Sequence, residues 1–384
     1  MMQYGTHSKI WLRQVTAFAV VALVAALIVR NIAANLDQRG LALTFEFLGR
    51  PASFDIPFKL IEFTSRDTYG RAAVVALLNT MLVASLAIVT ATVIGFAFGV
   101  FLLSPNPLLR RSAFAAVEVI KNTPQLLQLL FWYIVILQNL PSAQESYNPL
   151  RGVFVNVRGL FVPSIELSAP EGRAWLAYVA FAAVVGFVAT AASTLLVSRD
   201  REQSARARYF MLGALVAGVV SWLASGASLS LNNPELRGFN FRGGVQIVPE
   251  LIALWFGLAI YAASFIADLV RGAVLAVPKG QDEAAKALGL NHLLALRLVK
   301  VPQALQIIVP PLVSQYLNIT KSSTLGIAIA YPEIMTVLGG TTLNQTGHAI
   351  ETMLMIAGLF IILNLAVSAL MNRYNRQVAI RSAA

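Results

Sequence analysis

The chain has 384 residues, 57% apolar and 12% charged, too hydrophobic for a soluble domain and too evenly apolar for one buried core. It has no Cys, which excludes disulfides, thiolate catalysis, zinc fingers and iron–sulfur ligation. The net charge of +11 does not indicate nucleic acid, because no basic stretch is interleaved with aromatics; in an integral membrane protein such an excess marks loops that meet anionic lipid.

A spanning helix needs roughly 20 predominantly apolar residues. Eight segments meet that standard, at about Val15 to Val29, Ala73 to Leu103, Phe114 to Leu140, Ala174 to Val197, Tyr209 to Ser230, Glu250 to Val270, Gln303 to Ala330 and Glu351 to Met371. The expected fold is therefore an all-α polytopic membrane protein of about eight transmembrane helices. The opening MMQYGTHSKIWLRQ and its apolar run have no small-residue cleavage site before Arg30, so they read as a retained first helix. Loops 31–72 and 141–173 carry Pro, Gly and aromatics and read as ordered caps on the membrane face. Lys and Arg are about twice as dense in the loops that share a side with residues 1–14 as in the opposite loops, which places both termini in the cytoplasm. The stretch 277–302 then lies in the cytoplasm too.

Within the second segment, Gly95 and Gly99 form a G-x-x-x-G pattern that permits close helix approach. Glu118 and Lys121 in the third segment, and Asp268 and Arg271 in the sixth, are each three apart at the cytoplasmic end of a helix, close enough to pair and steady it. The seventh segment is unusually polar. Gln306, Ser314, Gln315, Asn318, Thr320, Ser322, Ser323 and Thr324 suit either a pathway lining or a contact with another helix. Lys321 lies well inside this segment; it either meets a substrate carboxylate or snorkels and pairs with an acid on another helix, and the structural role is slightly favoured.

The stretch VPKGQDEAAKALGLNHLLALRLVKVP, Val277 to Pro302, interrupts the apolar runs. Gln281 to Leu290 reads as a short helix with Asp282 and Glu283 in its first turn, Lys286 within reach of both, and Gly289 as its stop. It is too short to span and too polar to insert, so it either lies flat under the bilayer or docks a partner.

Five motifs carry a family resemblance. Glu283-Ala284-Ala285, three residues, Gly289, nine residues and Val299-Lys300-Val301-Pro302 resemble the EAA loop of ABC importer permeases, with Val in place of the usual Ile and Leu. Lys121-Asn122-Thr123-Pro124-Gln125-Leu126-Leu127-Gln128 with Phe131-Trp132-Tyr133, Asn79-Thr80-Met81-Leu82 with Ser85, Tyr261 to Gly272, and Lys321 to Leu325 are similar to further motifs of the polar amino acid permeases; Asp268 replaces the usual Glu. The loop Phe45 to Ile56 and the DTYGRA that opens the second segment make the chain most similar to the larger permease of general L-amino acid importers.

The resemblance implies a MetI-like permease core of five helices, with an extra N-terminal helix and a two-helix insertion. Residues 1–72 would hold the cytoplasmic tail, first helix and outer loop. Residues 73–384 would form the permease domain, with the extra helices at about 174–230 and the coupling loop at 277–302. Glu283, Ala284, Ala285, Gly289 and Pro302 would couple to a cytoplasmic ABC ATPase dimer. Gln315, Asn318, Lys321 and Thr324 are the candidate pathway or structural residues, and Asp268, Arg271, Glu118 and Lys121 the candidate helix-end ion pairs. Further implied partners are a second, related permease subunit, a periplasmic substrate-binding protein, an amino-acid substrate and the lipid bilayer of a bacterial inner membrane.

No G-x-x-x-x-G-K-[ST] occurs, so ATP hydrolysis would fall to another chain. His7, His292 and His348 lie in separate loops without a carboxylate cluster, and no catalytic residue, metal site or cofactor is expected. The competing readings are an ion-gradient-driven secondary transporter of small polar solutes and a polytopic membrane enzyme, the latter lacking any acid, base or metal cluster.

Overall fold

The computed structural model describes residues 43–168, 201–238 and 240–382, with scattered positions between 16 and 34 and between 179 and 186. About half of the first expected span and nearly all of the fourth fall outside the described residues. The described chain forms two compact units, residues 1–127 with 254–384, and residues 128–253.

In the first unit, α1 (Tyr69–Leu102) starts where Thr68 accepts a hydrogen bond from the Arg71 amide at 3.2 Å, a side-chain cap that satisfies one of the free donors of the first turn. Its 34 residues reach about 50 Å, longer than a hydrocarbon core of ~30 Å. A reversal capped by Asn106, with Pro107 in the first turn, begins α2 (Pro107–Asn122). The expected third span is not one helix: Thr123 is extended (φ −93°, ψ 130°), and a new helix, α3 (Gln125–Asn139), starts after Pro124. The physical reason is the clash of a proline ring with a helical residue before it, together with its missing amide donor. The separated α2 is amphipathic, with Ala113 and Val117 buried and both arginines of its first turn exposed.

The second unit, which contains most of α3, departs from the all-α expectation. The loops after α3 and before α5 (Pro249–Ala276) form eight short strands, β1 (Tyr147–Leu150), β2 (Val153–Asn156), β3 (Gly159–Val162), β4 (Ser164–Ser168), β5 (Ser228–Asn232), β6 (Glu235–Arg237), β7 (Asn240–Arg242) and β8 (Val245–Ile247). β1-β2-β3-β8 make an antiparallel sheet, and β4 with β5 and β6 with β7 make two ribbons. Phe154, Phe161, Phe241 and Ala143 supply a small apolar core for these strands. The unit also holds α4 (Arg201–Ser225), whose apolar part Met211–Ser225 corresponds to the fifth expected span.

Back in the first unit, α5 leads into α6 (Lys279–Ala287), a short turn at His292–Ala295, and a helical run that continues through α7 (Val301–Ser322) to Ile329. The chain closes with α8 (Ala349–Ser382). Four helical runs of the described residues are long and apolar enough to cross a membrane, Tyr69–Leu102, Pro249–Ala276, Leu296–Ile329 and Ala349–Asn372. They match the second, sixth, seventh and eighth expected spans.

Small residues set how closely these helices pack. A Cβ on Gly95 would fall 2.6 Å from Ile266, and one on Gly99 would fall 2.5 Å from Val270, so the G-x-x-x-G pattern is the seam along which α5 lies on α1. Trp255 donates to Thr90 at 2.9 Å across the same pair, and the hydroxyls of Thr92 and Tyr316 share a hydrogen bond that ties α1 to α7.

At the other end of these helices, residues 44–68 cover a second core. Phe47, Ile56, Phe63 and Tyr69 pack with Ile334, Val337, Leu338 and Ile356. Residues 331–350 enter this core as short helical turns at Met335–Thr342 and Leu343–Thr346. Tyr331 and Glu333 are fully buried. Glu333 accepts hydrogen bonds from the amides of Met335 and Thr336, both at 2.7 Å, and from the Thr336 hydroxyl at 2.9 Å, so it caps the helical turns that follow. Tyr331 donates to the Asn79 carbonyl, Asn79 donates to the carbonyls of Phe58 and Pro332, and Thr80 accepts from the Ile334 amide. His348 stacks on Phe47 with ring centroids 4.8 Å apart.

Candidate functional site

The stretch from Val277 to Pro302 folds as a helix, a turn and a re-entry into the next span. α6 ends in a reversal that its sequence dictates: the Leu290 amide bonds back to the Ala285 carbonyl at 3.0 Å and the Gly289 amide to Lys286 at 2.9 Å. This pair of bonds requires a left-handed residue at Gly289, where φ is +73°, a conformation open to Gly at little cost. Asn291 then caps the next turn by accepting from the Leu294 amide at 2.9 Å.

The helix shows its two faces clearly. Ala285 is buried at 3% exposure, whereas Glu283 and Ala284 are exposed and Leu288 is 79% exposed. Pro302 stands in the first turn of α7, where its missing donor costs nothing. Lys286 was read as within reach of Asp282 and Glu283; the ion pair to Asp282 comes from Lys300, at 2.6 Å, and Gln303 donates to Gln281 at 3.0 Å. Both contacts fasten α6 to the start of α7.

The helix-end charges also rearrange. Lys121 lies 2.5 Å from Glu118 and 2.9 Å from Asp268, so one lysine joins two carboxylates and links α2 to α5. Glu118 and Lys121 pair as expected. The Asp268–Arg271 pair does not form, because Asp268 meets the Lys121 ammonium across the helix contact, and Arg271 is left to face a cavity with Arg110 and Arg111. The hydrogen bond from Lys121 holds the Glu118 carboxyl below the usual carboxylate range. Glu118 first and Asp268 second hold the Lys121 ammonium above its usual value.

On α7 the structure separates the polar residues. Thr320 and Ser323 are buried and donate to the carbonyls of Tyr316 and Thr320, so they serve the helix itself. Ser314, Asn318 and Lys321 are exposed at spacings of four and three, which puts them on one stripe, with Gln315 and Thr324 half-buried beside it. Lys321 forms no ion pair with a carboxylate of the described residues; it stands near the end of α7, and because the helical run continues to Ile329 it lies inside the run, as its sequence position suggested. Sequence reasoning missed the buried Glu333 and its partners. The available signal was a lone carboxylate between Pro332 and Ile334, without the polar neighbours of an exposed loop.

The polar loop 277–302 thus joins two helical runs that are each long and apolar enough to cross a membrane. Residues 243–380 match the family of binding-protein-dependent transport system inner membrane components. The chain is 42% identical over 378 residues to a putative amino-acid ABC transporter permease protein, YhdX, of Escherichia coli K12, covering 97% of this chain and 94% of that one. It is 40% identical to the general L-amino acid transport system permease protein AapQ of Rhizobium johnstonii, covering 92% and 88%. It is 32% identical to the glutamate/glutamine/aspartate/asparagine transport system permease protein BztB of Rhodobacter capsulatus, covering 99% and 96%. The chain belongs to the family of ABC transporter permeases, membrane subunits that transport and are not enzymes. This membership sets aside the ion-gradient-driven alternative.

Proposed function

We propose that this chain is one of two related permease subunits that together form a pathway for L-amino acids across a bacterial inner membrane. A periplasmic binding protein delivers the substrate, and a cytoplasmic ABC ATPase dimer docks on the loop 277–302. The names of the relatives support the amino-acid cargo. A layout of about eight spans, with a five-helix core, an N-terminal helix, an insertion at about 174–230 and both termini in the cytoplasm, fits this role and the distribution of Lys and Arg.

The observation that carries the coupling is the outward face of α6. Glu283, Ala284 and Leu288 project from a helix whose other face is anchored by Ala285, Asp282–Lys300 and Gln281–Gln303. A small, anchored helix with an exposed apolar tip suits a cleft in a partner, and its anchors would pass a push on to α7. The stripe Ser314–Asn318–Lys321 supports a pathway or permease-contact role for α7, because an uncovered Lys in hydrocarbon costs about 2.5–3.5 kcal/mol on insertion scales.

The test uses the absence of Cys. A single Cys at Ala284, exposed where Ala285 is not, is treated with a short thiol-reactive crosslinker in native membranes, and the adduct is identified by mass spectrometry. An ATPase with a phosphate-binding P-loop is the expected main adduct. Lipid or self-adducts only, alike at a control position on the loop, would return α6 to an interfacial helix.

A further inference from the structure

A cavity of about 300 Å³ lies where α1, α2 and α5 meet, lined by Leu102, Arg110, Arg111, Phe114 and Arg271. Three guanidinium groups share it, and its lining contains no carboxylate. The acids closest to these arginines in sequence are committed elsewhere: Glu118 and Asp268 hold Lys121, and Asp282 holds Lys300. Three like charges in one pocket repel one another until an anion neutralises them.

The position narrows the anion. Leu102 is the last residue of α1, and Arg271 lies in the last turns of α5, so two spanning helices end at the cavity. There the side chains change from apolar, Leu102 and Phe114, to charged, Arg110, Arg111 and Arg271, a change that suits the boundary between hydrocarbon and lipid headgroups. The lining is itself divided in this way, with guanidinium groups beside Leu102 and an exposed Phe114. A free anion needs only the charged part, whereas a phospholipid uses both. Arginine also matches phosphate through paired, planar hydrogen bonds, which a lysine cannot supply.

We propose that this cavity binds a phosphate group, supplied by the headgroup of an anionic phospholipid whose chains lie along Leu102 and Phe114. The bound lipid joins the first turn of α2 to the end of α5, just ahead of the loop 277–302.

The full permease complex is purified, stripped of lipid in detergent, and incubated with phosphatidylglycerol, phosphatidylethanolamine or inorganic phosphate. Retained lipid is counted by native mass spectrometry and thermal stability is followed in parallel. Phosphatidylglycerol is expected to be retained at least tenfold better than phosphatidylethanolamine and to raise the melting temperature. The triple variant R110Q/R111Q/R271Q is expected to lose that retention by about tenfold. Should it fail to fold, R110K/R111K/R271K keeps the charge and is expected to retain phosphatidylglycerol more weakly than wild type. Equal retention of both lipids, or undiminished retention by either variant, would overturn the proposal. So would full stabilisation by inorganic phosphate without retained lipid, which would make the occupant a soluble anion.

Discussion

α5 and α7 stand on either side of the loop 277–302, yet they are held in opposite ways. In α5, 61% of the most apolar stretch is buried, its seam with α1 is closed by Gly95 and Gly99, and Asp268 is fixed by Lys121. In the run containing α7 only 22% is buried, a polar stripe is left uncovered, and Pro310 and Pro311 interrupt its ladder. The loop therefore joins a helix held fast within this chain to one whose surface this chain leaves largely free.

The largest expected effect comes from loosening the fixed side. Gly95→Leu or Gly99→Leu drives a side chain into Ile266 or Val270, an overpacking worth roughly 1–3 kcal/mol or more, and is expected to lower the yield of folded protein and its melting temperature. Next, the double variant E283A/G289A is expected to cut uptake at least tenfold at normal expression; unaltered uptake would remove the loop from coupling. Glu333→Ala leaves the amides of Met335 and Thr336 without their buried acceptor and is expected to cost about 1–3 kcal/mol, Glu333→Gln less, as read by thermal melting. On the loose side, Lys321→Met is expected to slow uptake with little change in stability, and normal affinity and rate would take Lys321 out of the pathway.

The smallest effect concerns the Glu118–Lys121 contact and its pH dependence. Glu118 is held below its ordinary value of 4.5, so its contribution is complete above that pH and fades as pH falls through the lowered value. Lys121 is held above its ordinary value of 10.5, so its contribution is complete below that pH and fades as pH rises through the raised value. The stability difference between wild type and Lys121→Met should therefore be flat across the neutral range and shrink at both extremes. A slope between pH 6 and 8 would mean that another group governs the contact.

The features legible in the sequence are those set by a residue's own geometry or by a long pattern. The four long apolar runs, the G-x-x-x-G seam and the reversal at Gly289 are of this kind. Pro124 also carried its message, but the apolar residues on both sides of it outweighed the break at Thr123. Local spacing paired Asp268 with Arg271 and Asp282 with Lys286, whereas the folded chain supplied Lys121 and Lys300 from farther along it. A three- or four-residue spacing shows which groups can meet on one helix; it says nothing of a competitor on another. The strands of residues 147–247 were hidden for the same reason, since runs of three to five residues become strands only when another run lies beside them.

Pro310 and Pro311 cannot donate to the carbonyls of Gln306 and Ile307, so two successive rungs of α7 are missing halfway along it. Bending costs least where rungs are absent. α7 thus has a hinge between an N-terminal arm, whose Gln303 is fastened to α6, and a C-terminal arm that bears Ser314, Asn318 and Lys321, so the two arms can change their angle with little loss of hydrogen bonding.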